Sequence, residues 1–120
     1  MSAVIANPVV HLELRTENLA RACAFYTQLF QWRAETIHSN GSSYLAHELG
    51  EAIDGGIAEH QSRGAVWLPY VEVGDIAEAT ERARVAGAAV LLEPREGPAG
   101  WRSVLAPPAG AEIALWQPKR

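Results

Sequence analysis

The stretch PVVHLELRTENL, residues 8–19, alternates apolar and polar positions with the two-residue period of a β-strand. Successive strand side chains point to opposite faces, so Val10, Leu12 and Leu14 share one face and Val9, His11 and Glu13 the other. From Leu19 the period changes. Leu19, Ala22, Cys23, Tyr26, Leu29 and Phe30 recur at steps of three and four, which predicts a helix with one buried stripe, capped by Thr16 or Asn18. The pattern then repeats 57 residues later. HLELRTENLARA (11–22) overlays LPYVEVGDIAEA (68–79) without a gap, and Asn18-Leu19-Ala20 falls on Asp75-Ile76-Ala77. In the second copy Asp75 and Glu78 form a capping-box pattern, Ile76, Ala79, Ala83 and Ala86 form the stripe, and Gly87 stands where a left-handed residue closes a helix.

Three strand-like runs follow each helix, at about 32–38, 43–49 and 55–60, and at about 88–92, 101–106 and 111–117. Asn40-Gly41, Gly50, Asp54-Gly55-Gly56, Gly97-Pro98, Gly100 and Pro107 through Gly110 punctuate them. The predicted order is β-α-β-β-β, twice: one α+β domain of two tandem modules, about 8–60 and 66–118, joined near Arg63-Gly64 by a segment too short for a flexible linker.

Parity assigns the second copy as it does the first. Val71 and Val73 lie toward the helix, with Leu68, Tyr70 and Glu72 opposite; in the last strand Ile113 and Leu115 lie toward the helices, with Glu112, Ala114 and Trp116 facing away. Helices on one side leave the other side free to curl around something. The expected architecture is therefore an open, curved mixed sheet, a cup whose concave face carries His11, Glu13, Tyr70, Glu72 and Trp116. An antiparallel sheet also commonly shows water one face, and periodicity alone leaves that reading open. Imidazole, carboxylates and large aromatic rings are nevertheless the makeup of a small-molecule pocket.

Composition narrows the partners. The chain has 120 residues, 48% apolar and 20% charged, enough for one core of its own. A net charge of −4 with no basic cluster argues against nucleic acid and anionic membranes as partners. No apolar run approaches a membrane span and the first residues lack a secretory pattern, so the expected location is the cytoplasm. Cys23 is the single cysteine, which excludes an internal disulfide and reads as a small apolar residue of the first helix.

HLELRTENLARACAFYTQLFQW, YVEVGDIAEATERARVAGAAVLLEP and the closing GAEIALWQP together resemble the vicinal oxygen chelate superfamily. That superfamily includes glyoxalase I, the bleomycin-binding resistance proteins and the extradiol dioxygenases. The resemblance implies paired βαβββ modules forming a cup, commonly in a homodimer. It also implies four metal-ligand positions, on the first and last strand of each module. Carried onto this chain they fall on His11, Leu68, a position near Ile57 and Ala114; a slip of one or two residues brings in Glu59 or His60 for the third. His11 is then the one donor, and a transition metal needs three or more protein ligands. Two further departures are Gln31 for the usual glycine of the Phe-Gly-Trp ending and Pro107-Pro108-Ala109-Gly110 for the usual turn before the last strand.

Among other candidates, His47 and His60 fall outside the clear parity patterns. Tyr44, Trp32 and Trp67 read as core or contact aromatics, with Trp67 sharing the helix-side parity of Val71. Trp101, in the Gly/Pro-rich GPAGWR, is expected in a loop at the mouth of the second module, where it would lid a ligand. No nucleophilic triad, phosphate-binding glycine loop or zinc-type cysteine spacing is present. The catalytic chemistry that survives without a metal is proton transfer, with Glu13 or Glu72 as a desolvated base and His11 as its partner. Two readings result. One is a metal-independent binding protein whose ligand-contacting residues are His11, Glu13, Tyr70, Glu72, Trp101 and Trp116, with no cofactor and a cationic or planar small molecule as ligand. The other is a lyase or isomerase acting on a small carbonyl compound through a divalent metal.

Overall fold

The computed structural model describes residues 6–30, 32, 34–39, 42–48, 53–59 and 64–119, with backbone alone for 34–39 and 42–48. Its element order is β1 (Val9–Thr16), α1 (Leu19–Leu29), β2 (Ala34–Ser39), β3 (Ser42–Glu48), β4 (Asp54–Glu59), β5 (Val66–Glu72), α2 (Ile76–Val85), β6 (Ala89–Glu96), β7 (Gly100–Ala106) and β8 (Ile113–Pro118). This is the expected βαβββ, twice, in an α+β chain. Contacts group into two compact units, Val10–Leu68 and Met1–Val9 with Pro69–Arg120.

In the first unit the strands run in the order β2-β3-β4-β1, with β1 parallel to β4 and the other pairs antiparallel. Leu14 pairs with Ile57, both are buried, and α1 packs over β4. Asn18 caps α1, its side chain accepting from the Arg21 N–H at 3.0 Å. The helix buries less than its stripe predicts: Leu19, Ala22, Cys23 and Tyr26 are half-buried, while Leu29 is 58% and Phe30 42% exposed. The aromatic rings here pack mainly on one another. Tyr26 stacks with Trp32 at 5.8 Å and meets Trp67 edge-on at 5.6 Å, and Phe30 lies 4.7 Å from Trp32, which leaves Phe25, Leu29 and Phe30 as an exposed apolar ridge. Trp67 thus points to the helix side, as parity predicts.

In the second unit the order is β5-β8-β7-β6, with β5 parallel to β8. Residues just before β1 belong here as well: Pro8 O accepts from Glu72 N–H at 2.9 Å and the Asn7 side-chain amide donates to Glu72 O at 3.1 Å. Asp75 caps α2 by accepting from the Glu78 N–H at 3.1 Å. At the other end Ala88 N–H reaches Ala83 O and Gly87 N–H reaches Arg84 O, the paired bonds of a Schellman close, with Gly87 at φ +102°. The core is Val73, Ile76, Ala79, Leu105 and Leu115, with Val71, Ala83, Val90, Trp101 and Ile113 packed around it. Ala86 caps the helix and is exposed, outside the predicted stripe.

One polar contact crosses this core. Thr80 Oγ1 lies 2.6 Å from Ile76 O and 2.9 Å from Ser103 Oγ, and both hydroxyl residues are fully buried. The Thr80 proton serves Ile76 O, so Ser103 donates to Thr80. Thr80→Val keeps the shape and strands the Ser103 hydroxyl, and is expected to lower unfolding free energy by about 1–3 kcal/mol. The double variant Thr80→Val/Ser103→Ala regains part of that loss. Urea denaturation of the three proteins checks it; a Thr80→Val protein as stable as the parent contradicts it.

Candidate functional site

The strand faces opposite the helices carry the chemistry, and each unit has its own. On β1 the side chains of His11, Glu13 and Arg15 share a face, in register with Asp54, Gly56 and Ala58 of β4. Glu13 is buried, and Arg15 Nε donates to its Oε1 at 2.9 Å. Buried carboxylates require such compensation. The carboxylate expected as a desolvated base thus has a guanidinium beside it, two residues along the same strand. Burial pushes the His11 imidazole below its ordinary pKa of 6.5, against the opposing pull of Glu13 and Asp54.

The register also moves one inferred position. Glu13 pairs with Gly56, as its counterpart Tyr70 pairs with Ala114, so Gly56 rather than Ile57 is the first-module equivalent of Ala114. Ile57 and Glu59 fall on the face of Leu14 and Thr16, away from His11. Neither sits on the face of a shifted metal site. His60 lies outside the described residues, as do the side chains of Tyr44 and His47. Leu68 and Ala114 are buried hydrocarbon positions, and among the described residues no group of three His, Cys, Asp or Glu side chains is placed to hold an ion. Among the described residues the donor set does not fit the metal that the resemblance implies.

In the second unit, cross-strand register gathers Tyr70 and Glu72 of β5, Ala114 and Trp116 of β8, Arg102 and Val104 of β7, and Arg95 of β6 on one face. Arg102 Nη1 donates to Tyr70 Oη at 3.1 Å, and Tyr70 is 5% exposed. Trp116 stands opposite both Arg102 and Glu72. Its indole lies across Gly100, where a Cβ would come within 2.8 Å of the ring and 2.3 Å of Gln117 O. Only a glycine admits the ring in this position. Glu72 is half-buried beside it.

Trp101 is placed differently from expectation. It belongs to β7, paired with Gln117, rather than to a loop. Strand pairing already begins at Gly100, which the Gly/Pro punctuation hides. Alternation then sends Trp101 with Ser103 and Leu105 to the helix side, where it packs against the core with Lys119 Nζ 5.7 Å above its ring. It is therefore no lid over Tyr70 and Trp116. The arginines were the missed residues. Arg15 continues the parity of His11 and Glu13, and Arg102 is the complement of Trp101 and Ser103, so carrying alternation through each whole strand would have found both.

With this geometry in view, a family model of the Glyoxalase/Bleomycin resistance protein/Dioxygenase superfamily matches residues 9–115, and the chain belongs to that superfamily. It is 27% identical over 123 residues to the anthracycline biosynthesis protein DnrV of Streptomyces peucetius, a match taking in 88% of this chain and 45% of that protein. It is 29% identical over 118 residues to CFP32 of Mycobacterium tuberculosis, named as a candidate glyoxylase, with 91% and 45% covered. The chain thus spans less than half the length of these curated relatives. Its fold is similar to that of methylmalonyl-CoA epimerase from Mycobacterium tuberculosis, with a TM-score of 0.74 at 18% identity over 100% of this chain and 94% of that one. A hypothetical protein from Bacillus halodurans gives a TM-score of 0.78 at 16% identity over 97% of each. No helix among the described residues is long and apolar enough to cross a membrane.

His11 ties the first face to pH. Between its depressed folded pKa and 6.5 the unfolded chain binds more protons at His11 than the folded chain does. The contribution to stability is therefore fully present above 6.5 and is lost as pH falls through the folded value. Urea midpoints measured from pH 7.5 down to about 5 are expected to fall less steeply for His11→Gln than for the parent. Equal slopes would show that His11 is not held neutral by burial.

Proposed function

We propose that this chain is a metal-independent member of its superfamily that binds a small organic molecule on the polar sheet face of Tyr70, Glu72, Arg102 and Trp116. The observation that carries the reading is the Arg102–Tyr70 bond at 3.1 Å beside an indole that Gly100 allows to lie along the sheet. A rigid aromatic surface next to fixed hydrogen-bonding groups suits a planar ligand that needs both stacking and orientation. His11 and Glu13 offer a second polar face, in the first unit. Support also comes from the relatives, one of them named for anthracycline biosynthesis, and from a Streptomyces coelicolor methylmalonyl-CoA epimerase of the same fold, held in complex with 2-nitronate-propionyl-CoA. The reading includes a homodimer, with the ridge of Phe25, Leu29 and Phe30 as the apolar surface a second copy would cover.

The competing reading is a metal-dependent lyase or isomerase of the glyoxalase type. His11 with Glu13 and Asp54 close enough to act on its charge is the feature in its favour. Elemental analysis of the purified protein separates the two. The proposal predicts no stoichiometric Ni, Zn, Fe or Mn, together with saturable quenching of tryptophan fluorescence by planar aromatic compounds that dialysis against a chelator leaves intact. One equivalent of metal, or ligand binding abolished by the chelator, overturns it.

A further inference from the structure

Arg102 is charged, half-buried and fixed on a strand, and it spends one N–H on a neutral phenol. A guanidinium offers five. Elsewhere in the chain Arg15, Arg82, Arg84 and Lys119 each have a carboxylate partner: Glu13, Glu78, Glu81 with Glu93, and Glu96 respectively. Among the described residues Arg102 has none.

The β6–β7 register sharpens the point, because Arg95 stands directly opposite Arg102 on the same face, and it too has no carboxylate partner among the described residues. Like charges directly opposed across two strands destabilise the pair. The irregular pairing of β6 between Leu92 and Arg95 delivers this side chain to that face. On the other side of Arg102, across β7–β8, lies Trp116. Glu72 is the acidic residue of β5 on this face, its backbone two strands from that of Arg102, roughly 10 Å at ordinary strand spacing. By register the two arginines stand on β6 and β7, the indole on β8 and the carboxylate on β5, with the Arg102 guanidinium reaching across to the Tyr70 hydroxyl.

We infer that the ligand of this face is an aromatic or conjugated carboxylate, its ring on the Trp116 indole and its carboxylate held by Arg102, with Arg95 supplying further positive charge. This deepens the binding reading above and rests on it. It also revises the ligand class that residue types alone suggest, since the acidic cup expected to favour a cation contains paired or opposed arginines on both faces. An arginine fork matches the two oxygens of a carboxylate and loses much of that match when replaced by lysine. Tyr70, buried and accepting from Arg102, is a positioning residue.

The test is isothermal titration calorimetry of the full chain with 2-naphthoate and with its uncharged analogue 2-naphthamide. The acid is expected to bind about tenfold more tightly than the amide, the size of effect usual for a charge-assisted bond. Arg102→Gln is expected to reduce that preference to about twofold or less, the acid losing more affinity than the amide, and Arg102→Lys to fall between. Arg95→Gln, at an exposed position, is expected to cost the acid about threefold and the amide nothing, which keeps the inference falsifiable if the Arg102 variants do not fold. Equal binding of acid and amide, or a preference that survives both glutamine variants, overturns the inference and leaves the binding reading standing. Binding of neither probe overturns both.

Discussion

α2 lies across β6, β7 and β8, and that contact commits one face of three strands. Leu105 and Leu115 fill it, Ser103 is bonded to Thr80 within it, and Trp101 flanks it. Because a strand residue on one face cannot serve the other, everything between those positions is delivered to the opposite side. Arg102, Val104, Ala114 and Trp116 are where they are because their neighbours are spent on the helix. The chemistry of this protein is thus a consequence of how its core is packed. A one-residue slip of β7 would bury the guanidinium under α2 and present an indole and a leucine in its place.

The same logic gives the two halves unlike surfaces from like folds. At equivalent positions Glu13 and Arg15 in one become Tyr70 and Glu72 in the other. In the first unit the cation and anion are neighbours on one strand and neutralise each other at 2.9 Å. In the second the cation is on β7, it donates to a phenol, and the carboxylate is on β5, two strands away. A neutralised pair gives a stable floor, whereas an incompletely satisfied guanidinium leaves hydrogen-bonding capacity for something else.

Much of this was legible in the residues. The 57-residue repeat, both helices, the Asp75 cap, the Gly87 close and the helix-side parity of Trp67, Val71, Val73, Ile113 and Leu115 all follow from local pattern, while the choice of Asn18 over Thr16 as the first cap does not. What failed depended on register or on distant contacts. GPAGWR looked like loop because strand pairing at Gly100 is fixed by Pro118, a residue far along the chain. The 57-residue offset from Ala114 gives Ile57, one residue out of step, because equal spacing in sequence does not specify pairing between strands. Pro8 and Asn7 belong with Glu72, 64 and 65 residues away, which no local signal announces. The exposure of Leu29 and Phe30 reflects where the other aromatics went, not their own periodicity.

On the proposed binding reading Trp116, and not Trp101, lines the ligand face. Titration of 2-naphthoate into ¹⁵N-labelled protein, with the tryptophan indole N–H resonances assigned by Trp→Phe variants, tests it directly. The Trp116 indole resonance is expected to shift progressively and saturably while that of Trp101 stays in place. A Trp101 resonance that moves while Trp116 is unaffected would contradict it.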